Sequence, residues 1–304
     1  MKGKTRVPLP PLEERLQVAL EEDLGREGDL TSRALVPWVA KAKGEFLVKA
    51  DGVISGLRIL PLVFRTAARA VAKVEGRRTP SVRVVTHVRD GARVAKGKVA
   101  ASVSAPPRVL LAGERTALNL LCKLSGVATQ TRRFVQATTG TRARILDTRK
   151  TTPLWRDLEK EAVCHGGGVN HRFGLYDMIL IKDNHLALWG VDDPAAAVCE
   201  AQKRFPGVKV EVEVTTLSAF RCVCKESSPD FVLLDNFAPA GIRRAVNWLR
   251  SCKSRGTRPL LEASGGIHLK NVGAYARAGV DRISIGALTH SSPALDVSLE
   301  VGLS

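Results

Sequence analysis

The chain has 304 residues, 44% hydrophobic and 25% charged, and its 47 Lys and Arg against 30 Asp and Glu give a formal net charge of +17. That composition suits a packed protein with two modest domains, or one large barrel with an appendage, and excludes a low-complexity chain. The basic balance fits nucleic acid, an anionic membrane face or a polyanionic small substrate, and does not choose among them.

The start, Met1 to Arg6, is basic but leads into Pro8, Pro10 and Pro11 without an apolar run, so no signal peptide is expected. No stretch approaches the ~18–20 apolar residues of a membrane span, and the cytoplasm is the expected location. Leu12, Leu16, Leu20 and Leu24 recur at helical spacing and predict a first helix. A strand is expected over 44–50, where Phe46 and Val48 alternate with Glu45 and Lys49, although Leu47 breaks the alternation. Residues 57–71 read as helical despite Pro61, and 82–88 and 94–103 as strands separated by the turn Asp90-Gly91. Residues 1–116 are therefore expected to form an α+β sandwich domain.

Past Pro106 and Pro107 the grammar changes. Residues 114–137 predict a long helix with Leu118, Leu121, Cys122 and Ser125 on one face. Six short apolar strands are then expected, at 143–147, 178–181, 208–214, 231–234, 260–263 and 282–285. Their anchors Asp147, Lys182, Glu213, Asp235, Glu262 and Gly286 stand 35, 31, 22, 27 and 24 residues apart. Each interval leaves room for a helical crossover, which implies a parallel sheet and an α/β fold for residues 117–290. The six cysteines, Cys122, Cys164, Cys199, Cys222, Cys224 and Cys252, form no C-x-x-C pair and are expected as free thiols.

The chemistry lies at the strand ends. In a parallel barrel the carboxyl ends of the strands meet at one mouth, so Arg149, Lys150 and Lys182 would face Glu213, Asp235 and Glu262 across a single pocket. A buried strand has reason to end in a charge where a charged ligand meets it. Arg149, Lys150, His171, Arg172 and Lys182 suit carboxylates and phosphates. Glu213 and Asp235 suit a hydrated Mg²⁺ shared with phosphate oxygens. Ser264-Gly265-Gly266 and Gly286-Ala287-Leu288 would let backbone N–H groups approach a phosphate at helix starts. Other motifs carry less. His165-Gly166-Gly167-Gly168 has no G-x-S-x-G partner for a hydrolase. Cys164, His165 and His171 fit no usual zinc spacing. Arg132-Arg133 and Arg243-Arg244 read as solvated helix faces.

Several blocks together resemble the quinolinate phosphoribosyltransferases. They include Glu114-Arg115-Thr116-Ala117-Leu118-Asn119, Asp147-Thr148-Arg149-Lys150-Thr151-Thr152-Pro153 and Gly166-Gly167-Gly168-Val169-Asn170-His171-Arg172. Ile181-Lys182-Asp183-Asn184-His185, Leu233-Leu234-Asp235-Asn236-Phe237, Glu262-Ala263-Ser264-Gly265-Gly266 and Gly286-Ala287-Leu288-Thr289-His290-Ser291 belong to the same set. The resemblance covers nearly the whole chain in order. It implies an α/β sandwich domain, with the tail 291–304 packed on it, and an open seven-stranded α/β barrel. It also implies a homodimer whose sandwich domain lends Arg115 to the partner's pocket.

Carried over by position, the resemblance places Arg115, Arg149, His171, Arg172 and Lys182 on quinolinate. Lys150, Glu213, Asp235, Ser264, Gly265, Gly266, Gly286 and His290 fall on phosphoribosyl pyrophosphate, with Mg²⁺ at Glu213 and Asp235, directly or through water. Lys150, Lys182, Glu213 and Asp235 would be the catalytic set. The implied reaction makes nicotinate mononucleotide, pyrophosphate and carbon dioxide on the way to NAD. Cys164-His165 before the glycine triplet, and Trp155 and Trp189, depart from the family pattern without removing a candidate ligand. Two alternatives stand beside this reading: a same-fold enzyme for another anionic base, and a basic nucleic-acid-binding protein. Arginines at 115, 149 and 172 favour a diacid. The 5% aromatic content and the lack of a recognition module disfavour nucleic acid.

Overall fold

The computed structural model describes residues 9–38, 41–252 and 258–303, so the basic start Met1 to Arg6 lies outside the described residues. Internal contacts divide the chain into two compact units. The first takes the residues up to Gln130, Thr152–Gly166 and those from Ser292 onward; the second takes Thr131–Thr151 and Gly167–Ser291.

In the first unit, α1 (Leu12–Leu24) follows the leucine spacing and buries Leu16 and Leu20, and α2 (Leu30–Leu35) is capped by Asp29. Strand β1 (Ala42–Val48) buries every second residue, Phe46 and Val48 among them. Leu47 falls on the half-buried outer face, and the strand keeps its alternation of burial through it. A short strand, β2 (Gly52–Val53), follows. Pro61 occupies the first turn of α3 (Leu60–Val74), where its missing N–H costs no helical bond. Next come β3 (Arg83–Thr86), β4 (Arg93–Val94) and β5 (Val99–Ala105). The long helix α4 (Pro107–Ala137) begins seven residues earlier than its polar face suggests, because Pro107 is a helix starter rather than a boundary. The expected domain limit at 116/117 thus falls inside α4, and the division between units comes later in it, after Gln130. Helix α5 (Arg156–His165) also belongs to the first unit.

The sheet of this unit is antiparallel. β1 pairs β5 on one side and the strand Val297–Leu303 on the other, and β5 pairs β3. Phe46 and Phe64 meet edge to face in its core with centroids 6.0 Å apart. Gly126 of α4 is required by a close approach: a Cβ there would lie 2.1 Å from the Pro293 carbonyl oxygen, where the tail crosses the helix.

The second unit is a parallel sheet built from β6 (Arg144–Leu146), β7 (Ile179–Ile181), β8 (Val210–Val214), β9 (Phe231–Asp235), β10 (Leu260–Ser264) and β11 (Arg282–Ser284). These are the six strands expected from the apolar runs. Their order is β6-β11-β10-β9-β8-β7, so successive strands from β7 to β11 are neighbours. The connections carry α6 (Asp183–Trp189) and α7 (Pro194–Arg204), then α8 (Leu217–Glu226), α9 (Pro239–Ser251), α10 (Val272–Arg277) and α11 (Ala287–His290). Asp193 and Thr216 cap α7 and α8 with their side chains. The expected seventh strand is reduced to one parallel bridge between Leu146 and Val169. Its approach runs through Gly166-Gly167-Gly168, which offers no side chains to pack and has Gly167 at φ 91. Val297–Leu303, here β12, completes the chain. None of the six cysteines forms a disulfide among the described residues.

Candidate active site

The carboxyl ends of the six parallel strands open into one cavity of about 650 Å³, within the range of small-molecule sites. Arg149, Lys150, His171, Arg172 and Lys182 line it together with Glu213, Asp235, Ser264, Gly265, Gly266, Gly286 and His290. Residues separated by up to 141 positions in the sequence thus share one wall. Arg115 lies in the first unit on α4, exposed, with its guanidinium 3.8 Å from the Glu114 carboxylate.

Each wall residue has a local reason for its place. Asp147 ends β6 fully buried and accepts the backbone N–H of His171 at 2.8 Å, which ties the segment after the glycine triplet to the sheet. Thr289 donates its hydroxyl to the Lys150 carbonyl at 2.6 Å and so docks the basic loop onto α11. Arg172 donates to the Met178 carbonyl at 3.0 Å. Burial, and then the neighbouring positive charge of Arg149, pull its guanidinium below the ordinary value. Two arginines that repel each other in a shared wall are poised for an anion that bridges them. Lys182 follows β7 and its ammonium pairs with Glu213 at 3.1 Å.

The phosphate cradle differs from expectation at one loop. α10 starts at Val272, six residues beyond Gly266, so the Gly265-Gly266 amides belong to a loop and not to a helix start. Both glycines have positive φ, at 90° and 59°. A Cβ on Gly265 would lie 2.2 Å from Asn236 Oδ1. Asn236 itself holds the left-handed conformation at φ 55 and donates its amide to Asp235 Oδ2 at 2.7 Å. The second small-residue segment behaves as expected, with α11 beginning directly after Gly286.

Glu262 also departs from expectation. It lines the cavity but is 0% exposed, so it faces no ligand as an open acid. Its carboxylate takes the Arg282 guanidinium at 2.7 Å and the His171 ring at 3.3 Å. Burial would raise its pKa, yet these partners outweigh burial and hold it low. Glu211 is equally buried and stands 3.0 Å from His171 Nε2; burial and the charge of Glu262 push its pKa up. Burial by itself would strip His171 of its charge, but the contacts with Glu211 and Glu262 prevail and bring its pKa up to about 9. The backbone N–H of Arg172, 2.7 Å from Nδ1, works against that rise, because it needs a bare nitrogen to accept it.

Reasoning from strand ends missed Glu211, which sits inside β8, and Asn236, whose positive φ is signalled only by its residue type, asparagine being enriched there. The sequence did carry a hint for the first: a strand reading Val-Glu-Val-Glu-Val should alternate, whereas a two-sided parallel sheet buries both faces. Among the described residues, His171, Glu211 and Glu262 are the one group of three side chains placed to hold a metal ion, with ligand atoms within 4.8 Å of each other. The expected pair Glu213 and Asp235 offers two carboxylates only. That donor set fits Mg²⁺, which commonly takes one or two carboxylates and completes its shell with water and substrate phosphate.

Comparison with known proteins agrees with this architecture. Residues 29–125 match the family described as quinolinate phosphoribosyl transferase, N-terminal domain, and residues 127–300 match its C-terminal domain. A nicotinate-nucleotide pyrophosphorylase [carboxylating] of Mycobacterium leprae is 43% identical over 93% of this chain and 94% of its own length. A probable nicotinate-nucleotide pyrophosphorylase [carboxylating] of Bacillus subtilis is 38% identical over 93% of this chain and 91% of its own. The solved nicotinate-nucleotide pyrophosphorylase of Francisella tularensis superimposes with a TM-score of 0.86 at 32% identity, covering 98% of each chain. With both domains matched in order and a charged cavity at the strand ends, this chain belongs to the quinolinate phosphoribosyl transferase family.

Proposed function

We propose that this protein is a decarboxylating quinolinate phosphoribosyltransferase, which converts quinolinate and phosphoribosyl pyrophosphate to nicotinate mononucleotide, pyrophosphate and carbon dioxide in NAD biosynthesis. The carrying observation is the single cavity that gathers Arg149, Lys150, His171, Arg172 and Lys182 with the carboxylates Glu213 and Asp235. Arg149, His171, Arg172 and Lys182 receive the two ring carboxylates, and the repelling arginine pair favours a diacid over a monoacid such as nicotinate. Lys150 with Ser264, Gly265, Gly266, Gly286 and His290 takes the phosphorylated sugar.

The pyridine nitrogen displaces pyrophosphate at the sugar C1 through a cation-like transition state. Lys150 and Lys182 meet the negative charge that develops on the departing oxygens, and Glu213 and Asp235 face the positive charge on the sugar. The nitrogen, now quaternary, draws electron density from its ring, so the bond from C2 to its carboxylate breaks. The electron pair stays on C2 beside the positive nitrogen, carbon dioxide leaves, and C2 takes a proton from water. The residues position and neutralise, and no covalent nucleophile is needed. Glu213 and Asp235 would hold Mg²⁺, which when bound neutralises pyrophosphate oxygens. Asn236 keeps one oxygen of Asp235 occupied and so orients the other. Further parts of the reading are a homodimer in which Arg115 completes the partner's cavity, and residence in the cytoplasm.

The test is release of carbon dioxide from carboxyl-labelled quinolinate with phosphoribosyl pyrophosphate and Mg²⁺, with nicotinate run in parallel. Turnover of quinolinate with stoichiometric carbon dioxide is expected. Turnover of nicotinate alone would replace this reading with a same-fold enzyme for a monoacid.

A further inference from the structure

Two carboxylates beneath the cavity have no part in the scheme above. Glu211 in β8 and Glu262 in β10 flank the central strand β9 and are both 0% exposed. Burying a carboxylate costs several kcal/mol even after relaxation, so an apolar residue would serve packing better at either position. Both converge on one atom, His171 Nε2, at 3.0 and 3.3 Å. Glu211 Oε1, Glu211 Oε2 and Glu262 Oε1 are buried without a hydrogen bond of normal geometry, so the ring meets them as close polar contacts. Behind Glu262 stands Arg282. On the opposite edge of the ring, Nδ1 accepts the Arg172 N–H, and Asp147 holds the His171 N–H. A continuous chain of contacts therefore runs from Arg282 through Glu262 and His171 to the main chain of Arg172.

We infer that Glu211 and Glu262 are positioning residues for anion recognition: they anchor one edge of the His171 ring, whose other edge fixes the main chain of Arg172 and thereby its guanidinium in the cavity wall. This rests on the assignment of His171 and Arg172 to the ring carboxylates of quinolinate.

The test uses the full chain with Glu211→Gln and Glu262→Gln, each isosteric. Outer-layer partners of metal-binding histidines carry 10–100-fold, and by analogy the KM for quinolinate should rise by about tenfold or more. The KM for phosphoribosyl pyrophosphate and kcat should stay within about threefold. In a His171→Asn background the Glu211→Gln effect should shrink below about twofold, because groups that act through one side chain are not additive. Glu262→Gln leaves Arg282 unpaired and risks the fold; Glu211→Gln alone then decides. An unchanged quinolinate KM in a folded Glu211→Gln protein would overturn the inference. So would an equal rise in both KM values, an undiminished effect without His171, or a stoichiometric metal ion in the purified protein that the variants lose. Calorimetric binding of quinolinate reads the same effect without turnover. Wild-type protein that binds quinolinate tightly but does not turn it over would therefore count against the proposed reaction and leave the positioning role standing.

Discussion

The two units bury charge for different ends. In the first, the interior is apolar around Phe46, Phe64, Leu16 and Leu110. One of its buried charges serves attachment: Arg15 on α1 grips Asp157 on α5 with two parallel bonds of 2.9 and 2.8 Å, which ties the segment Thr152–Gly166 to the first helix. Burial raises the Asp157 carboxyl, but the Arg15 bonds outweigh it and hold it low. In the second unit, Asp147, Glu211 and Glu262 are fully buried at or near the cavity, and Glu211 has no hydrogen-bonded donor. Buried charge that closes on itself holds structure. Buried charge that leads to a cavity prepares a site, and the cost is tolerated because a ligand or a binding side chain meets it.

Three changes would break or sharpen that contrast. Phe64→Ala removes a fully buried ring from the first core and should cost about 3–5 kcal/mol of unfolding free energy. The KM values of the surviving folded fraction should stay near wild type, measured by urea unfolding beside steady-state kinetics. Loss of substrate affinity at full stability would dissolve the contrast. Arg149→Ala should do the reverse. Losing a charge-assisted bidentate contact costs on the order of 2–3 kcal/mol, or roughly 100-fold in kcat/KM for quinolinate. The unfolding midpoint and the KM for phosphoribosyl pyrophosphate should barely move, and normal turnover would remove Arg149 from the site. The smallest effect is a pH dependence. His171 has a folded-state pKa of about 9, above the ordinary 6.5, so its protonation favours the folded state. Its contribution is complete below about pH 6.5 and disappears as pH rises through about 9. Glu211, Glu262 and Arg172 face the ring, and the Arg172 N–H works against its charging. The contribution should be on the order of 3 kcal/mol at most. Unfolding free energies at pH 6 and 9.5 should differ more in wild type than in His171→Asn; an equal difference would mean that the ring does not carry the charge.

Much of the site was legible in the sequence because strand ends in a parallel sheet converge, and charge after an apolar run marks them. Asp147, Lys182, Glu213 and Asp235 all stand where that rule places them. Glu262 obeyed the rule in position and broke it in role, since only the neighbouring strands reveal that Arg282 and His171 enclose it. The strand β12 does alternate, with Val297, Leu299, Val301 and Leu303 between Ser298, Glu300 and Gly302, but only the structure shows its pairing partner, β1, some 250 residues earlier. The early start of α4 was a matter of which proline closes one element and which opens the next.

Local chemistry along the chain determined the elements and their types: apolar periodicity marks helices and strands, and intervals of 22 to 35 residues between charged strand ends demand crossovers. Tertiary structure alone decided which charges are ligands and which are supports. That choice depends on burial and on partners from distant strands. The same glutamate is an open acid at the mouth of a cavity and a buried anchor one pleat deeper, and no local pattern distinguishes the two.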